Sequence, residues 1–325
     1  MKYLRLFSTD PYYNLAAEEY LLHNVESDDF FMLWQNAATV VIGRHQNAVE
    51  EVNVKRAEEL GIKIVRRNSG GGAVYHDLGN LNFSFITAWD PEKGADLDIF
   101  LDPVIRGLRS IGVNAERRGR NDLVAGGKKI SGNAQYIHGG RILHHGTILV
   151  NSQLSVMPEV LNVQNDKIIS KGIKSVRSRV ANICESVPGP IDIEAVADAL
   201  KNSLFTNGCA GEYSFTDEQV TLIKKLAAAK YGTWEWNFAS SPDFSCKKSR
   251  RFPGGKIEVH LDVKDGFIEK CGITGDFLAL TGVEKLENAV TGCRNVKGDL
   301  SIVLGKFDIP RYYSFTLDEL LECFG

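Results

Sequence analysis

The chain has 325 residues, 43% hydrophobic and 24% charged, with a net charge of −3. That length suggests two domains, or one large domain with an appendage, and the composition supports a sizeable core. A slightly acidic chain lacks the profile of a polyanion binder, so nucleic acid is not an expected partner and any basic patch must be local, such as a pocket.

The opening stretch "MKYLRLFSTDPYYNLAAEEYLLHNV" carries early acidic residues and no apolar h-region, so no signal peptide is expected. Within it, Asp10-Pro11 reads as an N-cap with proline at the first helical position and predicts a helix to about His23. "FFMLWQNAATVVIGRHQN" then gives two strand-like runs broken at Gln35-Asn36. "NVKRAEELGIKIVRR" predicts a short helix stopped at Gly61 and a strand over Ile62 to Val65. "LNFSFIT" alternates, with Leu81, Phe83 and Phe85 on one side and Asn82 and Ser84 on the other.

A helix is predicted from Pro103 to Ile111, closed at Gly112. Two hairpins follow, turning at Gly126-Gly127 and at Gly139-Gly140. "NDKIISKGIKSVRSRVANI" has too little apolar periodicity for core. Helices resume at "IDIEAVADALKNSLF" and "TDEQVTLIKKLAAAK", where Thr216 and Gln219 form a capping-box pattern. "ASSPDFSCKKSRRF" is the linker candidate, and "GKIEVHLDVKDGFIEKCGI" reads as a hairpin turning at Asp265-Gly266. No apolar run approaches the roughly 20 residues of a membrane span, so a soluble, cytoplasmic protein is expected. The interleaving lacks a βαβ rhythm and predicts an α+β fold with mixed, largely antiparallel sheets and flanking helices. The expected domains are residues 1–246 and a small α+β domain over 247–325.

The six cysteines are scattered without a C-x-x-C pair and match no zinc site, so free thiols are expected. The segment "KIVRRNSGGGAVYHDLGNLNFSF" carries the chemistry. It is not a P-loop, because no glycine is followed by Lys-Ser or Lys-Thr at the required spacing. It is not a dinucleotide fingerprint, because position 75 is Tyr. Gly70, Gly71 and Gly72 let a ligand lie against bare main chain. Arg66 and Arg67 are expected to add positive charge at the edge of an anion site; a glycine-rich turn with solvated arginines is the alternative. "GGKKISGNAQ", read as a strand, puts Lys129, Ser131 and Asn133 on one face. Asn121 and Asp122 sit where a loop enters a strand, suited to polar ligand groups or a metal. His144 and His145 fall on opposite strand faces, which argues against a two-histidine metal site and leaves one to line a pocket.

In order along the chain, "WQNAATVVIGRHQN", "RRNSGGGAVYHDLGNLNFSF", "GRNDLV", "KISGNAQ", "HHGTILVN", "KGIKSVRSRVANI" and "TWEWNFASSPDF" resemble the lipoate–protein ligase A family. They span most of residues 30–245, and the tail resembles that family's C-terminal accessory domain. The resemblance implies a catalytic domain of the fold shared with biotin–protein ligases. It also implies ATP-dependent formation of lipoyl-AMP and transfer of the lipoyl group to an acceptor lysine.

Carried over position by position, the resemblance makes Lys129 the catalytic residue, bridging the lipoate carboxyl and the α-phosphate. It puts Arg67, Gly72, Ala73, Val74, Tyr75, Asn121 and Asp122 at the ATP or adenylate site, and Mg²⁺ on Asp122. Lipoate binding falls to Lys129, Arg66, Ser69, Gly71, Gly72 and His145. Ser175, Val176, Arg177, Ser178, Arg179 and Val180 correspond to a mobile loop over the adenylate. The implied cofactors are ATP and Mg²⁺, with lipoate as substrate. The implied partners are lipoyl domains of 2-oxoacid dehydrogenase E2 subunits or the glycine cleavage H protein, and a monomer is expected. An arginine common in relatives is absent here, where Ile137 and His138 stand. The rivals are a lipoyl or octanoyl transferase taking a preformed activated acyl group without ATP, and a non-catalytic lipoate-binding module. A thioester-dependent transferase needs a reactive cysteine near the pocket, and none lies in the glycine, KISG or HHGT segments.

Overall fold

The structure, a computed structural model, describes residues 1–25, 27–92, 96–162, 180–205, 211–238, 246–264 and 266–324. Ser175 to Arg179 of the expected mobile loop, residues 239–245 of the linker and Asp265 of the last hairpin turn lie outside the described residues.

In chain order the strands are β1 (Lys2–Arg5), β2 (Phe30–Trp34), β3 (Thr39–Ile42), β4 (Lys63–Arg66), β5 (Val74–His76), β6 (Asn80–Ala88), β7 (Ala115–Arg118), β8 (Asp122–Ala125), β9 (Lys128–His138), β10 (Arg141–Leu149), β11 (Gly211–Glu212), β12 (Cys246–Phe252), β13 (Gly255–Lys264) and β14 (Phe267–Gly275). They form an eight-stranded sheet, β11-β1-β2-β6-β10-β9-β8-β7, and two three-stranded sheets, β4-β3-β5 and β12-β13-β14. Pairing is antiparallel except between β1 and its two neighbours and between β3 and β4. The two runs either side of Gln35-Asn36 are thus strands of different sheets.

The large sheet is covered on both faces. Leu81, Phe83 and Phe85 of β6 pack with Phe31 and Leu33 of β2 against Phe100, Leu101 and Val104, from the helix Asp98–Ser110, and Val196 and Leu200, from the helix Ile193–Leu204. The other face meets the helix Pro11–Asn24, which Asp10 caps through the Tyr12 amide. Asn82 and Ser84 point to that second side and are 1% and 0% exposed. A strand with polar residues on a covered face must find them partners, and the candidate site lies on this face.

Gly126-Gly127 and Gly139-Gly140 all have positive φ, as two-residue hairpin turns between twisted strands require. Two elements depart from expectation. The helix expected from Pro103 begins at Asp98, where the Asp96 side chain accepts from the Asp98 amide, and it carries Pro103 in its interior. The linker candidate becomes strand from Cys246, which pairs with Leu261.

β12 to β14 and the helices after them enclose a separate core around Ile257, Phe277, Leu300 and Phe315. This C-terminal unit meets the rest through main chain, where the Gly275 amide donates to His45 O, Gly71 to Phe277 O and Ile137 to Leu280 O, and through side chains such as the Arg44–Glu284 ion pair and the His45–Phe277 stack. The five described cysteines are free. Among the described residues, no helix is long and apolar enough to cross a membrane.

Candidate active site

A cavity of about 650 Å³, counting its open mouth, lies against the second face of the large sheet. One wall is the glycine segment, with Arg67, Gly71, Gly72, Ala73 and Val74; another is Asn121, Lys129, Gly132 and Ala134. Leu15, Trp34 and Val41 supply apolar surface, and His145 and Thr147 line it from β10. The size and the mixture suit a small organic ligand with one charged end.

Lys129 reaches this cavity through an irregularity in the strand. β8 and β9 pair Leu123 with Ser131 but Val124 with Lys129, so Ile130 is an extra residue. A bulge of this kind breaks the two-residue alternation. Lys129 therefore shares a face with Gly132, and a Cβ at Gly132 would lie 3.0 Å from Lys129 Nζ. The expected common face for Lys129, Ser131 and Asn133 is corrected. Ser131 is buried at 1% exposure and does not line the cavity, whereas Asn133 lines it with Lys129 and donates its amide to Ser131. Lys129 Nζ lies 2.7 Å from Asp122 Oδ1, and the main chain of Lys129 pairs with Val180, the described end of the expected mobile loop.

Asp122 thus faces an ammonium, and no cluster of three or more histidine, cysteine, aspartate or glutamate side chains is assembled among the described residues. One carboxylate with substrate phosphates is an ordinary Mg²⁺ arrangement.

Both arginines are buried and spend their donors on main chain, and of the two only Arg67 also lines the cavity. Arg67 is 7% exposed; Nη2 donates to Gly70 O (2.6 Å) and Gly72 O (2.9 Å), and Nη1 to Val41 O. One guanidinium thereby fixes two carbonyls of the triplet, whose middle residue has φ +94, a conformation that favours glycine. Arg66 does the same for the neighbouring backbone. It is 1% exposed and donates to the carbonyls of Trp236, Asn237, Gly43, Arg44 and Gln46. Arg66 does not line the cavity, which corrects its expected place at the lipoate. Burial pulls both guanidinium groups down to about 10, leaving them charged at neutral pH.

Two other expected residues are also displaced. Tyr75 packs into the apolar core beside β3 and β4, where burial raises its hydroxyl to about 12. Ser69 is fully buried between Arg67 Nε (3.0 Å) and His145 Nε2 (2.6 Å). His145 lines the cavity, whereas His144 is stacked 4.7 Å from Phe100 on the other face.

Sequence reading missed Glu18, Trp34, His76 and Thr147. Glu18 is 2% exposed and lies 3.0 Å from His145 Nδ1. The only sequence signal was a Glu18-Glu19 pair in a helix otherwise set to face a core. His76 Nδ1 lies 3.1 Å from Asn36 Nδ2, which makes it an acceptor and puts the ring proton on Nε2.

Residues 10–205 match the family model "Lipoyl protein ligase A/B catalytic domain", and residues 241–324 match "Bacterial lipoate protein ligase C-terminus". The chain is 42% identical over 318 residues to lipoate-protein ligase LplJ of Bacillus subtilis, covering 96% of each. A solved lipoate-protein ligase A bound with ATP is 30% identical with a TM-score of 0.63, covering 73% of this chain and 98% of that one. A bi-partite lipoate protein ligase from Thermoplasma acidophilum, described with its E2 lipoyl domain, is 31% identical with a TM-score of 0.65, covering 75% and 98%. With a catalytic-domain match over residues 10–205 and this identity over nearly its whole length, the chain belongs to the lipoyl protein ligase A/B family.

Proposed function

We propose that the chain is an ATP-dependent lipoate–protein ligase. Free lipoate and Mg-ATP give lipoyl-AMP and pyrophosphate, and the lipoyl group then passes to the ε-amino group of a lysine on an acceptor lipoyl domain. The observation that carries this reading is one ammonium, Lys129, at the mouth of a partly apolar cavity whose facing wall is the glycine main chain.

In the first step a carboxylate oxygen attacks the α-phosphorus and pyrophosphate leaves. Both reactants are anions. At ~4 Å, two unit charges interact by about 4 kcal/mol at an effective dielectric near 20, so a fixed cation between them removes a substantial part of the barrier. Lys129 is that cation; in the second step it stabilises the oxygen that gains charge as the acceptor amine attacks the acyl carbon and AMP departs. Gly71, Gly72, Ala73 and Val74 bring main chain to the adenylate, with Asn121 beside Lys129. Asp122 would hold the magnesium that accompanies ATP, which would screen the phosphate charge. The lipoyl chain lies along Leu15, Trp34, Val41 and Val74.

The acceptors are lipoyl domains of E2 subunits or the H protein, met in the cytoplasm by a monomeric enzyme. The two domains divide near residue 246. Full-length chain with lipoate and Mg-ATP should release pyrophosphate and add one lipoyl mass to a lipoyl domain, and Lys129→Ala should do neither. Acceptor modification from supplied lipoyl-AMP, without pyrophosphate release from ATP, would instead establish the transferase. Lipoate binding with neither reaction would establish a binding module.

A further inference from the structure

Arg66 and Arg67 direct their guanidinium donors inward, and Arg120 does not. Arg120 stands in the turn between β7 and β8, directly before Asn121 and Asp122. Asn121 is tied to β9: its Nδ2 donates to Asn133 O (2.6 Å), and its own carbonyl accepts from the Asn133 amide (3.0 Å). The turn therefore fixes the base of Arg120 at the cavity mouth. The exposed side chain reaches across to the C-terminal unit. Among the described residues its one hydrogen bond is a long one, from Nη1 to Ser314 Oγ at 3.4 Å. A guanidinium carries five donors in a planar fork, so most of this one's capacity is left for a ligand.

Charges of alternating sign stand beside it. Lys129 Nζ lies 2.7 Å from Asp122. From the C-terminal unit, Arg251 Nη2 lies 3.3 Å from Asp276 Oδ2, and the Lys256 amide donates to Asp276 Oδ1 at 2.5 Å. Asp276 and Asp122 both favour the charged form of Arg120, and Arg251 disfavours it. Two carboxylates thus stand among three side-chain cations, two from one unit and one from the other. Cations brought together by separately folded units repel unless anions lie between them. A multiply charged anion would complete the set.

We propose that Arg120 and Arg251 bind the pyrophosphate that leaves when lipoate is adenylated, so that the C-terminal unit supplies part of the site for the first half-reaction. The inference rests on the ligase reading. In that step a carboxylate oxygen bonds to the α-phosphorus. The bond from that phosphorus to the bridging oxygen breaks, and its electron pair departs on pyrophosphate. No proton moves. The attacking and leaving oxygens lie roughly in line, so charge builds on the side of the phosphorus away from the lipoate. The apolar end of the cavity, with Leu15, Trp34 and Val41, cannot take phosphates. The β- and γ-phosphates therefore run outward past Asp122 to Arg120. Guanidinium forks match phosphate oxygens in pairs, and donors aimed at developing charge act on the rate. Transfer from lipoyl-AMP releases no pyrophosphate and needs neither arginine.

The test uses the full chain as wild type, Arg120→Gln, Arg120→Lys and Arg251→Gln. Each is given lipoate, Mg-ATP and radiolabelled inorganic pyrophosphate, and return of label into ATP is followed as pyrophosphate is varied. Transfer to a lipoyl domain from supplied lipoyl-AMP is measured in parallel. Both glutamine variants are expected to raise KM for pyrophosphate tenfold or more and to slow adenylation about 100-fold, with transfer within threefold of wild type. Arg120→Lys, which keeps the charge and loses the fork, should fall between. An arginine that only joined the two units would lower exchange and transfer alike and leave KM for pyrophosphate unmoved; that result overturns the proposal. Arg251→Gln also strips Asp276 of a partner, so should it fail to fold, Arg120→Gln on its exposed turn decides alone. A wild-type chain that returns no label to ATP overturns the ligase reading and the inference together. An active wild type, with KM for pyrophosphate within threefold in Arg120→Gln, overturns the inference only.

Discussion

The Lys129 ammonium and the Asp122 carboxylate form an ion pair of 2.7 Å at the cavity mouth, each about a third exposed. At that exposure an ion pair contributes on the order of 0–1 kcal/mol to stability, because water and salt screen it. Its consequence is positional: the carboxylate holds a flexible side chain over Gly132 and leaves the ammonium at the cavity mouth. Asp122→Asn should therefore leave the thermal midpoint within about 2 °C of wild type. The rate of pyrophosphate release should fall by about 10-fold to 100-fold, the usual consequence of a misplaced catalytic group. An unchanged rate would show that the bulge alone positions Lys129 and that the magnesium accompanying ATP does not need this carboxylate.

Gly132 tests the same geometry from the other side. A Cβ there would lie 3.0 Å from Lys129 Nζ and 3.1 Å from Cε, both near the end of a flexible side chain. The collision costs the fold little, because the lysine can move, and removing a glycine from a strand narrows the unfolded ensemble. Gly132→Ala should keep or slightly raise the urea midpoint while lowering kcat for pyrophosphate release by roughly 10-fold. A fall in stability with unaltered kcat would reverse that assignment.

Local chemistry made some of this legible in the sequence and tertiary context hid the rest. The Asp10 cap, the Gly126-Gly127 turn and the Thr216 capping box are decided by neighbouring residues and appear as expected. The bulge at Ile130 is set by pairing with β8, whose sequence carries no mark of the register. Adjacent arginines beside three glycines suggested charge around an anion. Whether a guanidinium faces solvent, ligand or carbonyls depends on what the fold packs over it, and here Trp236 and Asn237 cover Arg66 from 170 residues away. Glu18 was invisible for a related reason. A carboxylate in an apolar helix reads as surface until its partners at Ser84 and His145, far along the chain, are known.

Arg66 yields a prediction that separates holding from binding. Its replacement by methionine leaves five backbone carbonyls without the donor they share. A buried acceptor left unpaired costs about 1–3 kcal/mol. Allowing for local adjustment, Arg66→Met should lose about 3 kcal/mol or more, read as a lower urea midpoint. Arg66→Lys should lose nearly as much, since three donors on one nitrogen cannot span a fork. KM for lipoate in the folded fraction should stay within threefold. A stable Arg66→Met with a raised lipoate KM would restore this arginine to the acyl pocket.

Acid should loosen the N-terminal unit before it reaches the carboxylates. Burial holds His45, His76 and His144 down to about 3 each, with nearby positive charge adding to the effect. In the unfolded chain the same rings titrate near 6.5. The folded-state values are the lower ones, so the unfolded state takes up protons first. Stability is then complete well above pH 6.5 and is lost as the pH falls below it. At pH 5.5 each ring favours unfolding by about 1.4 kcal/mol, or about 4 kcal/mol for three, a large part of a typical domain's stability. The urea midpoint of this unit should drop markedly between pH 7.5 and 5.5, above the range where carboxylate pairs such as Glu19 with Lys230 begin to fail. His144→Phe, which keeps an aromatic ring against Phe100, should remove about a third of the slope. A midpoint that stays flat over those two pH units would mean that these rings bind protons in the folded protein as readily as in water.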